Sequence, residues 1–510
     1  MRCEKISKSF PGVKANKEID LEIRQGEIHA ILGENGAGKT TLMNIIYGLY
    51  RPDSGRIIYR GKDIDVKCPE DAIKLGIGMI HQHFTLVPPL TVVENIILGK
   101  CPTRGLFVDY QKARQIVQEL SRRYGLQLEG DAKVGDLPIG IQQRVEILKT
   151  LYRGADTLIM DEPTAVLTPQ ETRKLFQSMR EMVESGKTVI FISHKLDEVM
   201  EISDRITILR NGEKVTLLKK DETDKKELAR LMVGREVFFR IPKKEAEKGA
   251  LILNVEQVYA RDNRGLEKVK GISLKIRAGE ILGIAGISGN GQKELAEVVT
   301  GLRAVISGKI YLQGREITHY SPARIRKLGV AHVPDDRRNL GSILDLNLVD
   351  NLILDRFRQS PFSHLGFLHW SQIRQAAQNL LMAYDIRNIR EGNRAGSLSG
   401  GNLQRLILAR ELSSQHKLLV INKPSRGLDV GSIEYVRKQI QAQKQSGNAV
   451  LLISEDLDEI LDLSDQIAVI YRGGIMGMVR SGEISREEIG LMMGGTPLGQ
   501  IRSSLTGRKD

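Results

Sequence analysis

The sequence predicts an α/β protein built twice over, and three observations carry that reading. Apolar, strand-like runs alternate with helical patterns: EIHAIL precedes Gly33, TLIM precedes Asp161 and TVIFIS precedes His194. Such alternation favours a largely parallel central sheet flanked by helices. After the glycine-rich stretch that begins at Gly33, Leu42, Ile45, Ile46 and Leu49 recur at helical spacing, which predicts a helix with one buried face. Finally, the whole set recurs. GENGAGKTT from Gly33, DEPTAVLT from Asp161 and ISH ending at His194 are matched by GISGNGQKE from Gly286, NKPSRGLD from Asn422 and ISE ending at Glu455, at intervals of 253, 261 and 261 residues. A near-constant offset over so long a span marks a duplication.

The boundaries follow from the repeat. The first copy is expected at 1–235 and the second at 251–495, since KELARLMVG from Lys226 and EEIGLMMGG from Glu487 close them alike. Residues 236–250, charged and containing Pro242, suit a short tether, and 496–510 is left as a tail.

Composition narrows the function classes. With 510 residues, 41% hydrophobic and 27% charged, the chain is ordinary globular protein. It has no long uninterrupted apolar run, and its start, MRCEKISKSF, lacks the apolar core of a secretion signal, so a cytoplasmic protein is expected. Cys3, Cys68 and Cys101 lie far apart, without metal-ligand spacing. A net charge of +13 suits nucleic acid, a membrane surface or anionic ligands. The 5% aromatic content with Trp370 as the single tryptophan, and the lack of a basic segment interleaved with stacking residues, argue against nucleic acid. The clusters Lys219/Lys220, Lys225/Lys226 and Lys243/Lys244 alternate with acids and read as solvated faces.

Residues 33–40 satisfy GxxxxGK followed by Ser or Thr, between a strand-like run and a helical pattern. Gly36 and Gly38 let backbone N–H groups turn onto phosphates, Lys39 supplies a full charge near the β and γ phosphates, and Thr40 offers Mg²⁺ a hydroxyl. Glu34, Asn35, Ala37 and Thr41 complete the nucleotide cradle with Gly33. Asp161 ends a strand-like run, where its carboxylate suits the metal; Glu162 can polarise an attacking water, and His194 can reach the γ-phosphate.

With these motifs in this order, the chain resembles an ATP-binding-cassette (ABC) ATPase with both cassettes fused, over almost its whole length. That resemblance implies two tandem P-loop NTPase cassettes, each with a largely parallel sheet core, a smaller β subdomain and a helical subdomain, using ATP and Mg²⁺. It further implies that Phe10 stacks on adenine, although this side chain equally suits a core position, and that Gln82 completes Mg²⁺ coordination in the loop that senses a membrane partner. LSGGN from Leu398 is then the signature motif. Cassettes of this kind sandwich ATP head to tail, so each site joins one copy's phosphate loop to the other copy's signature.

On that pattern one site is complete: Lys39, Asp161, Glu162 and His194 pair with Ser399, Gly400 and Gly401. The other has lost nearly every part. Gln292 replaces the lysine, and Lys293, one residue on, points about 100° away around a helix. Asn422 is a poorer metal ligand than a carboxylate, Lys423 cannot act as a base, and Glu455 is expected to repel the γ-phosphate. On the facing motif, LPIGIQQR from Leu137, Pro138 offers neither hydroxyl nor N–H and Ile139 adds bulk. This site binds nucleotide weakly, binds it without turnover, or is empty.

The fused form, DEPTAVLTPQE and GLDVGSIEYV resemble the bacterial importer subgroup for simple sugars and nucleosides, and HQHFTLVPPLTVVENIILG from His81 leans toward nucleosides. Thr168 stands where many cassettes carry an aspartate that Asp429 keeps. The implied partners are two transmembrane permease subunits, engaged at HFTLVPPLT, and indirectly a substrate-binding protein outside the cell. The implied location is the cytoplasmic face of the membrane. A twin-cassette ATPase acting on ribosomes or nucleic acid is the alternative; the short tether and the dismantled second site weigh against it.

Overall fold

The computed structural model describes residues 1–81, 84–164, 167, 169–236, 249–386 and 392–506. The chain divides into two compact units, Met1–Val237 and Phe238–Asp510.

The first unit is organised on a six-stranded sheet in the order Glu213–Lys219, Arg205–Arg210, Ile28–Leu32, Thr188–Ser193, Thr157–Asp161 and Ile77–Ile80. Neighbours are parallel except Glu213–Lys219, which runs against Arg205–Arg210. The sequences explain this: IHAIL, TLIMD and TVIFIS are buried at every position, as strands covered on both faces must be. A smaller antiparallel sheet, Val13–Glu22, Arg2–Phe10, Ser54–Tyr59 and Lys62–Ile64, alternates buried and open positions because one face meets water. The helices Val92–Ile97, Tyr110–Arg123 and Ile139–Tyr152 pack on one another through Val93, Ile96, Ala113, Val117 and Val145. Sheet core, small β layer and helical part are thus all present.

The second unit repeats the plan. Its six strands run Gly474–Arg480, Gln466–Tyr471, Ile281–Ala285, Ala449–Ser454, Leu418–Asn422 and Val330–Val333, beside a small sheet of Glu267–Arg277, Leu251–Arg261, Ser307–Leu312 and Arg315–Glu316. Its helical part is built from Leu348–Ile353, Trp370–Ala383 and Gly400–Leu412.

Two local expectations need correction. The helix after the first glycine-rich loop is Lys39–Ile46, and it buries Leu42, Ile45 and Ile46, but Leu49 is 46% exposed. The chain leaves helical geometry at Gly48, whose φ of 83° is left-handed, so the apolar spacing runs past the helix that it predicts. The stretch left as a tail contains the helix Leu498–Thr506, whose Ile501 joins the second unit's core. Most of the tether lies outside the described residues.

Candidate functional site

The phosphate loop of the first unit lies between the strand Ile28–Leu32 and the helix Lys39–Ile46. Gly38 caps that helix at φ 94°, and a Cβ there would collide with the carbonyl oxygen of Ala15, so only glycine lets the loop close on the small sheet. Asn16 reinforces the closure by donating from Nδ2 to Gly38 O over 3.0 Å. Lys39 is buried and donates from Nζ to Gly33 O at 2.8 Å and Glu34 O at 2.9 Å, which holds its charge in the hollow of its own loop.

Asp161 ends its strand against this loop, buried and hydrogen-bonded to the Thr40 hydroxyl. Burial is the main cause that raises its carboxyl above the ordinary value. The next residue behaves oppositely. Glu162 takes a left-handed backbone, φ 47°, which no Cβ-bearing residue adopts without cost, and its N–H donates to Ile192 O at 3.1 Å. This turn carries its side chain to the end of the neighbouring parallel strand, where His194 Nδ1 donates to Glu162 Oε1 at 2.7 Å. That hydrogen bond, against the pull of burial, lowers the Glu162 carboxyl. Two adjacent carboxyls are thus pushed in opposite directions, Asp161 upward by burial and Glu162 downward by its hydrogen bond to His194.

Phe10 ends its strand 37% exposed, edge-to-face with Tyr50 at a centroid distance of 5.3 Å, so it is a surface aromatic and not a core one. Gln82 and Thr168 lie outside the described residues. Beyond Gln82, the Thr85 hydroxyl donates to Glu146 at 2.8 Å, and Lys149 donates to Thr85 O at 3.1 Å. Together with Tyr47 and His81 these residues line a cavity of about 230 Å³. Sequence reasoning passed over Glu146 and Lys149, although two charges inside the apolar helical run VEILKTL were a usable signal.

The equivalent positions in the second unit have the same backbone and different chemistry. Lys423 is left-handed at φ 47°, as Glu162 is, and its N–H donates to Ile453 O at 2.7 Å. Its Nζ donates to Ser288 Oγ at 2.7 Å and lies 2.6 Å from Glu455 Oε1; Ser288 also donates to Glu455. Glu455, expected to repel a γ-phosphate, forms this ion pair with Lys423. Gln292 donates to Ile287 O at 3.0 Å, in the manner of Lys39 but without charge. Lys293 is exposed on the helix and lies 3.9 Å from Glu297. Asn422 is buried, with an oxygen that has no partner among the described residues.

The helix Gly400–Leu412 opens on Ser399, whose side chain accepts from Asn402 N, and a Cβ on Gly401 would collide with Ser432 Oγ. At the matching helix Ile139–Tyr152 the cap is Pro138, with no side-chain bond, and Ile139 is 49% exposed.

The family model described as ABC transporter matches residues 16–165 and again 269–426. The guanosine import ATP-binding protein of Bacillus subtilis (strain 168) is 49% identical over 96% of each chain. The nucleoside import ATP-binding protein of Lactococcus lactis subsp. cremoris is 47% identical over 96% of this chain and 97% of its own. The glucose import ATP-binding protein of Haloferax volcanii is 46% identical over 97% of this chain and 96% of its own. Among solved structures, an archaeal ribosome recycling factor bound to a ribosomal stalk protein aligns over 91% of this chain and 87% of its own, with a TM-score of 0.60 and 20% identity, a likeness of fold alone.

Proposed function

The chain belongs to the ABC transporter family, and on that premise we propose that it is the ATP-hydrolysing subunit of an importer for a nucleoside or simple sugar, with one competent site. The observation that carries the single-site reading is the pair Glu162–His194, 2.7 Å apart beside the Lys39 loop, against Lys423–Glu455 in the second cassette.

In the first cassette the loop N–H groups and Lys39 hold the phosphates of ATP. Thr40 and Asp161 are hard oxygen donors in contact, a set that suits Mg²⁺. The ion supplies charge neutralisation on the phosphates when bound. Glu162, kept ionised by His194, accepts a proton from the water that attacks the γ-phosphorus, and His194 contacts the γ-phosphate. Phe10 offers a face to adenine. Ser399, Gly400 and Gly401 complete the site through the signature. The pairing is read from the sequence: the intact core motifs and the intact signature fall in different cassettes and together make one full set.

The cargo is met by permeases, two of them in this reading, and by an external binding protein, with this chain at the cytoplasmic face. The segment HFTLVPPLT, whose Thr85 lines the cavity at Glu146, is the permease contact. A nucleoside is favoured over a sugar because two of the three relatives named above import nucleosides. A ribosomal role has only a likeness of fold behind it. Co-expression with the permeases and membrane fractionation tests this: the chain sediments with membranes and its ATPase responds to nucleoside-loaded binding protein. Sedimentation with ribosomes instead would overturn the reading.

A further inference from the structure

At the signature end of the second cassette, two cations have no counterion among the described residues. Arg337 follows the strand Val330–Val333, and its Nη1 lies 3.4 Å from the point where a Cβ on Gly400 would stand. The carbonyl oxygen of Gly427, the residue after Arg426, lies 3.9 Å from that same point. Arg337 is half-buried and Arg426 exposed. Among the described residues neither guanidinium has a hydrogen-bond or ion-pair partner. Of the acids nearby, Asp336 accepts from the N–H groups of Arg338 and Asn339, and Asp429 accepts from Ser432 N. Burial first, and then the charge of Arg426, lower the Arg337 guanidinium from its ordinary value, a direction that an anion would reverse.

The first cassette has no such pair. By the repeat offsets, its equivalents of Arg337 and Arg426 are Phe84 and Ala165. Against Gly140, the equivalent of Gly401, stands the carboxylate of Glu171. One signature end is thus supplied with cations and the other with an acid of its own.

We infer that Arg337 and Arg426 form a receptor for the terminal phosphate of the ATP held on a Lys39 loop, and that Arg337 is a further catalytic residue of the hydrolytic site. This rests on the signature pairing proposed above. Hydrolysis forms a bond from water oxygen to the γ-phosphorus and breaks the bond to the bridging oxygen, releasing ADP and phosphate. The two guanidiniums balance the charge on the γ-phosphate oxygens as that bond breaks, and their planar forks match those oxygens.

The test measures ATPase kinetics and orthovanadate-trapped ADP in the full chain. In Arg337→Gln and Arg426→Gln, kcat falls roughly tenfold to a hundredfold, while KM for ATP stays within about threefold. Trapped ADP is lost, and Arg337→Lys recovers part of the rate. Arg338→Gln, with the same loss of charge on an exposed neighbour, matches the unmodified chain. Wild-type rates and trapping in both glutamine variants, with Ser399→Ala and Gly401→Asp impaired, would overturn the inference and leave the pairing standing. Normal rates in Ser399→Ala and Gly401→Asp as well would sink the pairing itself. Should Arg337→Gln lower the melting temperature, the exposed Arg426 decides the matter.

Discussion

In the first cassette two strand ends bring together Glu162 and His194, 2.7 Å apart; in the second the same two positions bring together Lys423 and Glu455, 2.6 Å apart. The backbone is unchanged, with φ 47° at both Glu162 and Lys423. A hydrogen-bonded pair at this place is thus compatible with the fold in either arrangement, whereas the proposed hydrolysis needs the carboxylate–imidazole one. A carboxylate held by an imidazole can take a proton from water; an ammonium held by a carboxylate and by Ser288 of the phosphate loop cannot. A structural demand has been kept in both cassettes and a chemical one in the first alone.

The comparison breaks most easily at the catalytic groups. Lys39→Ala and Glu162→Gln should each lower steady-state ATPase by about a hundredfold or more, while Gln292→Ala and Lys423→Gln should leave it within about threefold. Comparable losses in all four variants would mean that both cassettes turn over ATP.

A smaller effect separates the two signature ends. Gly401→Asp, which puts a side chain against Ser432 and a charge beside Asp429, should remove most of the activity; Ile139→Gly, at an exposed position, should remove almost none. A normal rate in Gly401→Asp would show the pairing to be wrong.

The smallest effect concerns stability. Burial raises the Asp161 carboxyl, so the folded chain holds that proton more tightly than the unfolded chain does. Stability is therefore lost as pH rises from the ordinary carboxylate value through the raised one. Glu162, lowered by His194, acts in reverse: its contribution is present above the ordinary value and lost as pH falls through the lowered one. At neutral pH, in the absence of metal and nucleotide, Asp161→Asn should raise the melting temperature by roughly 2–4 °C while abolishing turnover. Asn422→Asp should lower it by a similar amount, since it creates at a buried position the charge that the second cassette lacks. Calorimetry of both variants checks this: a lower melting temperature in Asp161→Asn, or a higher one in Asn422→Asp, would refute it.

Much of this was legible in the residues. IHAIL, TLIMD and TVIFIS each hold three or four apolar residues in a row, as strands covered on both faces do, and their alternation with helical patterns made the sheet core legible. Lys39, Asp161, Glu162 and His194 could be singled out from the motifs that hold them, and the fold brings Glu162 to His194 and Asp161 to Thr40. Leu49 misled because periodicity carries no information on where a glycine with left-handed φ ends a helix. Glu455 was read alone, whereas in the fold it forms an ion pair with Lys423. Arg337 and Arg426, 89 residues apart in sequence, gave no motif to notice.

The duplication, the α/β plan of each copy and the division of intact motifs between them follow from periodicity, residue chemistry and order along the chain. Which charges meet is fixed by the packed fold alone. Glu162 reaches His194, Lys423 clasps Ser288 and Glu455, and Arg337 lies against Gly400 because parallel strands and turns far apart in the chain end at the same edge of a sheet. Whether a charge is paired, buried or exposed depends on that convergence in space, which spacing along a chain does not encode.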